Sequence, residues 1–238
     1  MRAYKKFSKI ETKLKDVFSN LGAQFTIVDS KLTTDAIRLI DRNSVSILNH
    51  GKACLRPSTR WVINFKEGYL PEYFRLDSTG YSGWSSLPSQ FEIEKYSYDD
   101  FKKLKLAHVP KASVNLRPRP YIVFFSQLPS DTVMSISNFT QAEILESLVK
   151  YGEKFCCDVF LKIHPVYMKR IKKNIQSVRD HEFEFCIADF IKKGRVQLID
   201  ESVHSLAQSA KAIFTTNSTT GFESLLHEKP VFTFANSD

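Results

Sequence analysis

The sequence predicts an α/β fold built on a parallel sheet, and three observations carry that expectation. Short apolar strands alternate with amphipathic helical stretches through the second half of the chain, as in a parallel sheet covered on both faces. One of these units, Lys211 to Phe234, reads as an apolar strand, a loop of small hydroxyl residues, a helix opening at Thr219 to Gly221, and a second apolar strand after Pro230. The polar residues of this half also gather just past the apolar strands, at the carboxyl ends where such sheets bind ligands.

Composition frames the reading. A chain of 238 residues suffices for one large or two modest domains, each able to bury a core. Hydrophobic residues at 42% and aromatics at 13% exclude a disordered chain. No apolar run is long enough to span a bilayer, and the basic N-terminal stretch has no apolar core behind it, so neither a transmembrane helix nor a signal peptide is expected. Cys54, Cys156, Cys157 and Cys186 fit no zinc or disulfide spacing. They read as reduced thiols of a cytoplasmic protein, where the sequons at Asn138 and Asn217 carry no meaning. The net charge of +8 suggests an anionic partner: nucleic acid, an anionic membrane face or a phosphorylated sugar donor. The basic clusters at Lys102 to Lys105 and Lys169 to Lys173 come without an RNA-binding aromatic signature, zinc finger or helix-turn-helix pattern, so no nucleic-acid partner is expected.

In chain order, residues 1 to about 22 have Phe7, Ile10, Leu14, Val17, Phe18 and Leu21 near helical spacing. A strand is expected at 23–29, a helix capped by Thr33 or Thr34, and strands at 44–48 and 60–65. Residues 66–88, rich in Gly, Ser and aromatics, read as a long loop. A short helix is expected from Tyr98 to Leu106, and the three prolines of 109–120 mark a linker. Strands then follow at 121–126, 158–163, 195–199 and from Lys211, separated by helices at 140–155, between Tyr167 and Lys193, and at 202–210.

The strand ends select Ser126 to Asp131, His164-Pro165, Asp200-Glu201 and Thr215 to Gly221. A strand entering a helix N-terminus presents backbone N–H groups and the positive end of the helix dipole to an anion. Asn217, Ser218, Thr219 and Thr220 add donors, Gly221 lets a ligand approach the backbone, and Glu223 can accept from ribose hydroxyls. The plainer alternative is that Ser218 or Thr219 caps the helix and does nothing else. His164 ends a strand that Pro165 stops, and its imidazole can donate to a phosphate oxygen or steady a phosphate leaving group. Lys162 alternates to the other face.

LKIHP at 161–165, followed by ESVHSLAQSAKAIFTTNSTTGFESLLHEKPV at 201–231, resembles the nucleotide-binding half of the capsule polysaccharide biosynthesis family, which contains bacterial β-Kdo transferases. YIVFFSQLPSD (121–131), with Gln127 and Asp131, is similar to the family's strand with a glutamine and then an aspartate. Glu67-Gly68-Tyr69-Leu70 and Gly80-x-x-Gly83-x-Ser85 resemble its E-G-Y-L and G-x-N-G-x-S elements. Here Leu70 runs directly into Pro71 where the family has an arginine, so the role of that arginine is either missing or taken over by Arg75, and Ser82 replaces the usual asparagine.

The resemblance implies a GT-B arrangement of two Rossmann-like domains with parallel sheets. Residues 1–115 would form a short acceptor-side domain and 116–238 the nucleotide-sugar domain. Family members continue with further helices past the point where this sequence stops, so a truncated C-terminal domain and incomplete cover of the linker-side strands are expected. A CMP-activated sugar, with Kdo the implied sugar, would bind without metal or cofactor through Gln127, His164, Asn217, Ser218, Thr219, Gly221 and Glu223. Glu67, with His164, would carry the chemistry as nucleophile or general acid/base, with Asp77 a weaker partner; the alternative for Glu67 is an ordinary loop acid. The implied acceptor is a lipid-linked glycan, and the implied location is cytoplasmic, peripheral at the anionic inner-membrane face. Two other readings stand beside this one: a CDP-glycerol-type polyol-phosphate transferase, and a non-catalytic nucleotide- or carbohydrate-binding relative.

Overall fold

The structure, a computed structural model, describes residues 12–23, 46–49, 62–67, 74–77, 97–110, 117–131, 134, 136–173 and 178–235. The chain divides into two compact units, Met1–Ser46 and Ile47–Asp238. In the first, residues 12–20 form helix α1 inside the expected amphipathic stretch. Leu14 and Phe18 are half-buried, whereas Val17 and Leu21 face solvent. The strand and capped helix expected across 24–45 lie outside the described residues, as do Cys54, Gly68 to Leu70, Gly80 to Ser85 and 111–116 of the linker.

A three-stranded sheet runs in the order β1 (Ser46–Asn49), β2 (Val62–Glu67), β3 (Phe74–Asp77). Strand β3 corrects the expectation of one long loop. Phe74-Arg75-Leu76-Asp77 alternates apolar and charged residues, the signal of a half-buried strand, and it pairs antiparallel with β2. Glu67 therefore ends a strand. In this register Glu67 stands opposite Phe74 and Asp77 opposite Asn64. The offset from Asn64 to Glu67 is odd, so positions 67 and 77 belong to opposite faces of the pair.

Helix α2 (Tyr98–His108) starts in a capping box between Ser97 and Asp100 and buries none of its residues. Two bonds fix it to the body of the unit: Tyr98 Oη donates to Glu228 Oε1, and Lys105 Nζ to Glu228 Oε2, each at 2.5 Å.

The five-stranded sheet has the order β6-β5-β4-β7-β8, with β4 Tyr121–Phe125, β5 Asp158–Lys162, β6 Gln197–Leu198, β7 Ala212–Thr215 and β8 Val231–Thr233. Every pairing is parallel. The helices between are α3 (Gln141–Phe155), α4 (Pro165–Lys172), α5 (Val178–Lys192), α6 (Val203–Ser209) and α7 (Thr219–Leu225). Central β4 explains the three-layer build. Ile122 and Phe124 join a cluster with Ile144, Leu145, Leu148 and Phe183, while Tyr121, Val123 and Phe125 join another with Phe160, Leu206 and Ala207. All five β4 residues are at most 3% exposed. Against the expectation of incomplete cover for the linker-side strands, β4, which follows the linker, is sealed on both faces. Exposure falls on the edges instead, at Leu198 of β6 and Phe232 of β8.

Glycines 152 and 221 are packing residues. A Cβ at Gly152 would come within 2.6 Å of Val159 Cγ2, and one at Gly221 within 3.1 Å of Thr215 Cγ2. Gly221 thus lets α7 lie close against β7, a reason for glycine that differs from the ligand approach expected at this position.

Candidate functional site

The loops leaving β5, β4 and β7 meet at the carboxyl edge of the sheet, tied together by hydrogen bonds from two consecutive residues. Ser126 Oγ accepts from the His164 backbone N–H at 3.2 Å, and Ser126 N–H donates to the Lys162 carbonyl at 3.1 Å. Gln127 reaches the other way, its Nε2 donating to the Asn217 carbonyl at 3.3 Å while its Oε1 accepts from Leu128 N–H. Beneath them Gln141, 3% exposed, clasps the Gln127 backbone: its Oε1 accepts from Gln127 N–H at 2.6 Å and its Nε2 donates to Gln127 O at 2.7 Å. Thr215, fully buried, donates from Oγ1 to Phe125 O at 3.2 Å. His164, Gln127 and Asn217-Ser218, far apart in sequence, therefore share one edge.

His164 is the N-cap of α4. Its Nδ1 accepts from Val166 N–H at 3.2 Å, and Pro165 takes the first helical position, where its missing N–H costs nothing. With Nδ1 used as an acceptor, the neutral ring carries its proton on Nε2. Burial holds the imidazole below its ordinary pKa; the Asp131 charge pulls the other way, and Arg170 adds to the burial effect. The ring is thus a neutral donor at physiological pH. Helix α4 is anchored by Tyr167, fully buried, whose Oη donates to Asp180 O at 2.7 Å. Arg170 on the same helix donates to Ser130 Oγ at 2.5 Å and stands 3.9 Å from Asp180 Oδ2, bringing a guanidinium next to the loop that follows β4.

On the β7 side, Ser218 caps α7, accepting from Thr220 N–H at 3.4 Å. The plain capping role is thus present. Thr219 is exposed, and Asn217 and Ser218 are half-buried. Thr216 Oγ1 and Thr220 Oγ1 are buried without a hydrogen-bond partner among the described residues, an arrangement that few buried hydroxyls keep. Glu223 is half-buried; burial pushes its carboxyl up, and His204 pulls it back.

The fourth predicted group serves the framework. Asp200 pairs with Lys162 at 3.3 Å, and Glu201 pairs with Arg117, whose guanidinium lies 5.2 Å from the centre of the Phe160 ring. Sequence reasoning missed Gln141, His204 and His227 and met Arg170 only as part of the basic cluster Lys169 to Lys173. Gln141 left a trace, as a polar residue on a helix face that is otherwise apolar. Among the described residues no three His, Cys, Asp or Glu side chains are grouped to hold a metal ion, and no helix is long and apolar enough to cross a membrane. A cleft of about 220 Å3 opens at the opposite end of β5, where Arg119 pairs with Asp158 and Arg195 with Glu153. Its charges are matched internally.

The fold has counterparts among solved structures. The beta Kdo 2,7 transferase of Thermosulfurimonas dismutans KpsC superposes with a TM-score of 0.62 at 15% identity, over 94% of this chain and 76% of that one. The beta Kdo 2,4 transferase of the same KpsC gives 0.47 at 16% identity, over 74% of this chain and 63% of that one. A UDP-GlcNAc 2-epimerase from Methanocaldococcus jannaschii gives 0.33 at 14%, over 58% and 34%. No curated protein matches significantly. Likeness at 15% identity speaks for fold, and the fold is α/β and GT-B-like. The family model described as capsule polysaccharide biosynthesis protein matches residues 93–237, more than half of the sequence. That span takes in α2, the whole five-stranded sheet and every residue of its carboxyl edge, and the chain belongs to the capsule polysaccharide biosynthesis protein family.

Proposed function

We propose that this chain is a glycosyltransferase of capsular or surface polysaccharide assembly that takes a CMP-activated sugar, Kdo in the first instance, at the carboxyl edge of its five-stranded sheet. The observation that carries the reading is the hydrogen-bonded run His164–Ser126–Gln127–Asn217, which holds an imidazole donor and a hydroxyl-rich helix start on one edge. In this reading His164 Nε2–H donates to the nucleotide phosphate, and Arg170 supplies the nearby positive charge. Ser218 and Thr219 bind the same phosphate, with the buried Thr216 and Thr220 hydroxyls as further donors. Glu223 accepts from the ribose hydroxyls. As the bond between the sugar carbon and the phosphate oxygen breaks, its electron pair leaves with CMP, and the His164 hydrogen bond strengthens on the phosphate oxygen that gains charge. The acceptor hydroxyl oxygen forms the new bond to that carbon, its proton going to Glu67 as general base.

Residues 1–115 form the acceptor side, with Glu67 as the reacting carboxylate, and the acceptor is a lipid-linked glycan met at an anionic membrane face. Titration calorimetry with CMP and CDP tests the donor. CMP should bind, and His164→Ala should weaken it by about tenfold or more, the loss of one hydrogen bond to a charged group. Tighter binding of CDP than CMP would favour the polyol-phosphate reading, and silence with both would remove the nucleotide. Glu67→Gln with unchanged transfer would strike Glu67 from the mechanism. Sedimentation with vesicles should show a preference for anionic lipid if the membrane part is right.

A further inference from the structure

Three lysines of the cluster Lys169 to Lys173 are left over once the donor edge is assigned. Helix α4 and its C-cap read PVYMKRIKK, and no acid stands between Asp158 and Asp180. The basic cluster on α2 is different, because Lys102 pairs with Asp99, Lys103 with Asp100 and Lys105 with Glu228. On α4, Arg170 stands 3.9 Å from Asp180, whereas among the described residues Lys169, Lys172 and Lys173 close no ion pair.

Burial sorts this helix into two faces. Tyr167 is buried, Arg170 and Ile171 are half-buried, and Pro165, Val166, Met168, Lys169, Lys172 and Lys173 are exposed. With one residue about every 100°, the exposed residues form one continuous arc in the order Met168, Lys172, Pro165, Lys169, Lys173, Val166. The three ammonium groups thus lie within the arc, and its borders are Met168, 39% exposed, and Val166, 42% exposed. The helix dipole favours lysines in a last turn, which accounts for the cations but not for the uncovered methionine and valine beside them.

We propose that this outer face of α4 docks on an anionic lipid surface, with the lysines on headgroup phosphates and Met168 and Val166 at the boundary with the acyl chains. Charge selects the sign of the partner, and the apolar borders select its kind. Lysine stems lie along apolar surface while their ammonium groups reach phosphates, as in helices that lie in a membrane interface. Single-stranded nucleic acid is met by stacking rings, and this arc has none, since Tyr167 is fully buried. His164 is the N-cap of α4, so docking there holds the donor edge beside the bilayer. The inference rests on the anionic membrane face of the proposed function and names the element that meets it.

Sedimentation of the full chain with phosphatidylcholine vesicles, with and without phosphatidylglycerol, reads this out. Wild type should partition to the anionic vesicles, less so as salt rises. Lys169→Gln, Lys172→Gln and Lys173→Gln combined should lower that partitioning by about a hundredfold. Arginine at the same three positions should retain it, and Lys102→Gln with Lys103→Gln on α2 should leave it nearly unchanged. Met168→Gln should lower it severalfold, by the same factor at every salt concentration. If wild type binds anionic vesicles and the triple glutamine variant binds them equally, the inference alone falls. If wild type ignores anionic vesicles, the membrane part of the proposed function falls and takes the inference with it. CMP calorimetry run alongside should find the triple variant's affinity nearly that of wild type. A loss of CMP binding that accompanies the loss of vesicle binding would assign the lysines to the nucleotide and overturn the lipid docking. A wild-type preference for single-stranded RNA over anionic vesicles, abolished in the triple variant, would overturn it too.

Discussion

Gln141 is the best place to test whether the carboxyl edge is held together as described. It is 3% exposed, and both ends of its amide bond the Gln127 main chain, at 2.6 and 2.7 Å. Gln141→Leu keeps the volume and leaves a buried N–H and a buried C=O without partners. Each such group costs about 1–3 kcal/mol, so a loss of about 3 kcal/mol is expected. With a urea dependence of about 2–3 kcal/mol/M, the unfolding midpoint should fall by roughly 1–1.5 M. Gln141→Glu sharpens the test. A carboxylate still accepts from Gln127 N–H but sets a second oxygen against Gln127 O, and only a protonated carboxyl restores the donor. The folded state then binds a proton more tightly than the unfolded chain. The Glu variant should be closest to wild type in acid and lose stability as pH rises through its raised folded pKa. CMP binding should weaken in both variants, because Gln127 carries the bond to Asn217. A midpoint for Gln141→Leu within about 0.3 M of wild type would refute the claim that this amide supports the edge.

Two further expectations concern His164 and the packing glycines. Burial holds His164 below its ordinary pKa, so between the folded value and about 6.5 the unfolded chain binds more protons. Its contribution to stability is present above about pH 6.5 and lost as pH falls; His164→Asn, which keeps a capping acceptor, should flatten that part of a denaturation profile. Gly152→Ala should destabilise by about 1–3 kcal/mol, because its methyl would meet Val159 Cγ2 at 2.6 Å and the Cys157 carbonyl at 2.8 Å. Gly221→Ala, at 3.1 Å from a Thr215 methyl, should cost less, since that side-chain methyl has to give only a few tenths of an ångström, whereas the Cys157 carbonyl that crowds Gly152 is backbone. Thermal melts in which Gly221→Ala costs more than Gly152→Ala would show the packing argument to be wrong.

The parallel sheet was legible because its signals are local. YIVFF is apolar at five consecutive positions, as a strand buried on both faces must be, and Thr140, Ser202 and Ser218 each cap the helix that follows them. Strand β3 was hidden by its setting. Its four-residue alternation sits among glycines, serines and aromatics that read as loop, and only pairing with β2 gives it a ladder. Residues 195–199 read as a full strand, but at the sheet edge the ladder takes in only Gln197–Leu198, with Ile199 N–H bonding Leu161 O just past it. The strand-end rule chose the right edge but not the division of labour on it. Whether an acid at a strand end faces a ligand or closes an ion pair depends on what the fold brings opposite, as Arg117 does for Glu201. The bond between His204 and His227 spans 23 residues, and no periodicity encodes it.

The arrangement also explains why polar residues crowd this edge before any ligand is considered. A parallel sheet ends in carbonyl and N–H groups that have run out of strand partners, and buried ones must be satisfied. Ser126, Gln127, Gln141 and Thr215 do this, each bonding main-chain groups at or beyond the strand ends. Once that work is assigned, the groups left over stand out: the Nε2 side of His164, whose Nδ1 is used as a cap, and the buried hydroxyls of Thr216 and Thr220. A purely structural edge would have no reason to keep buried hydroxyls without partners, since valine at either position would avoid the desolvation cost. That surplus of donors over framework needs makes the edge a better candidate for an anionic ligand than the internally paired cleft at the other end of β5.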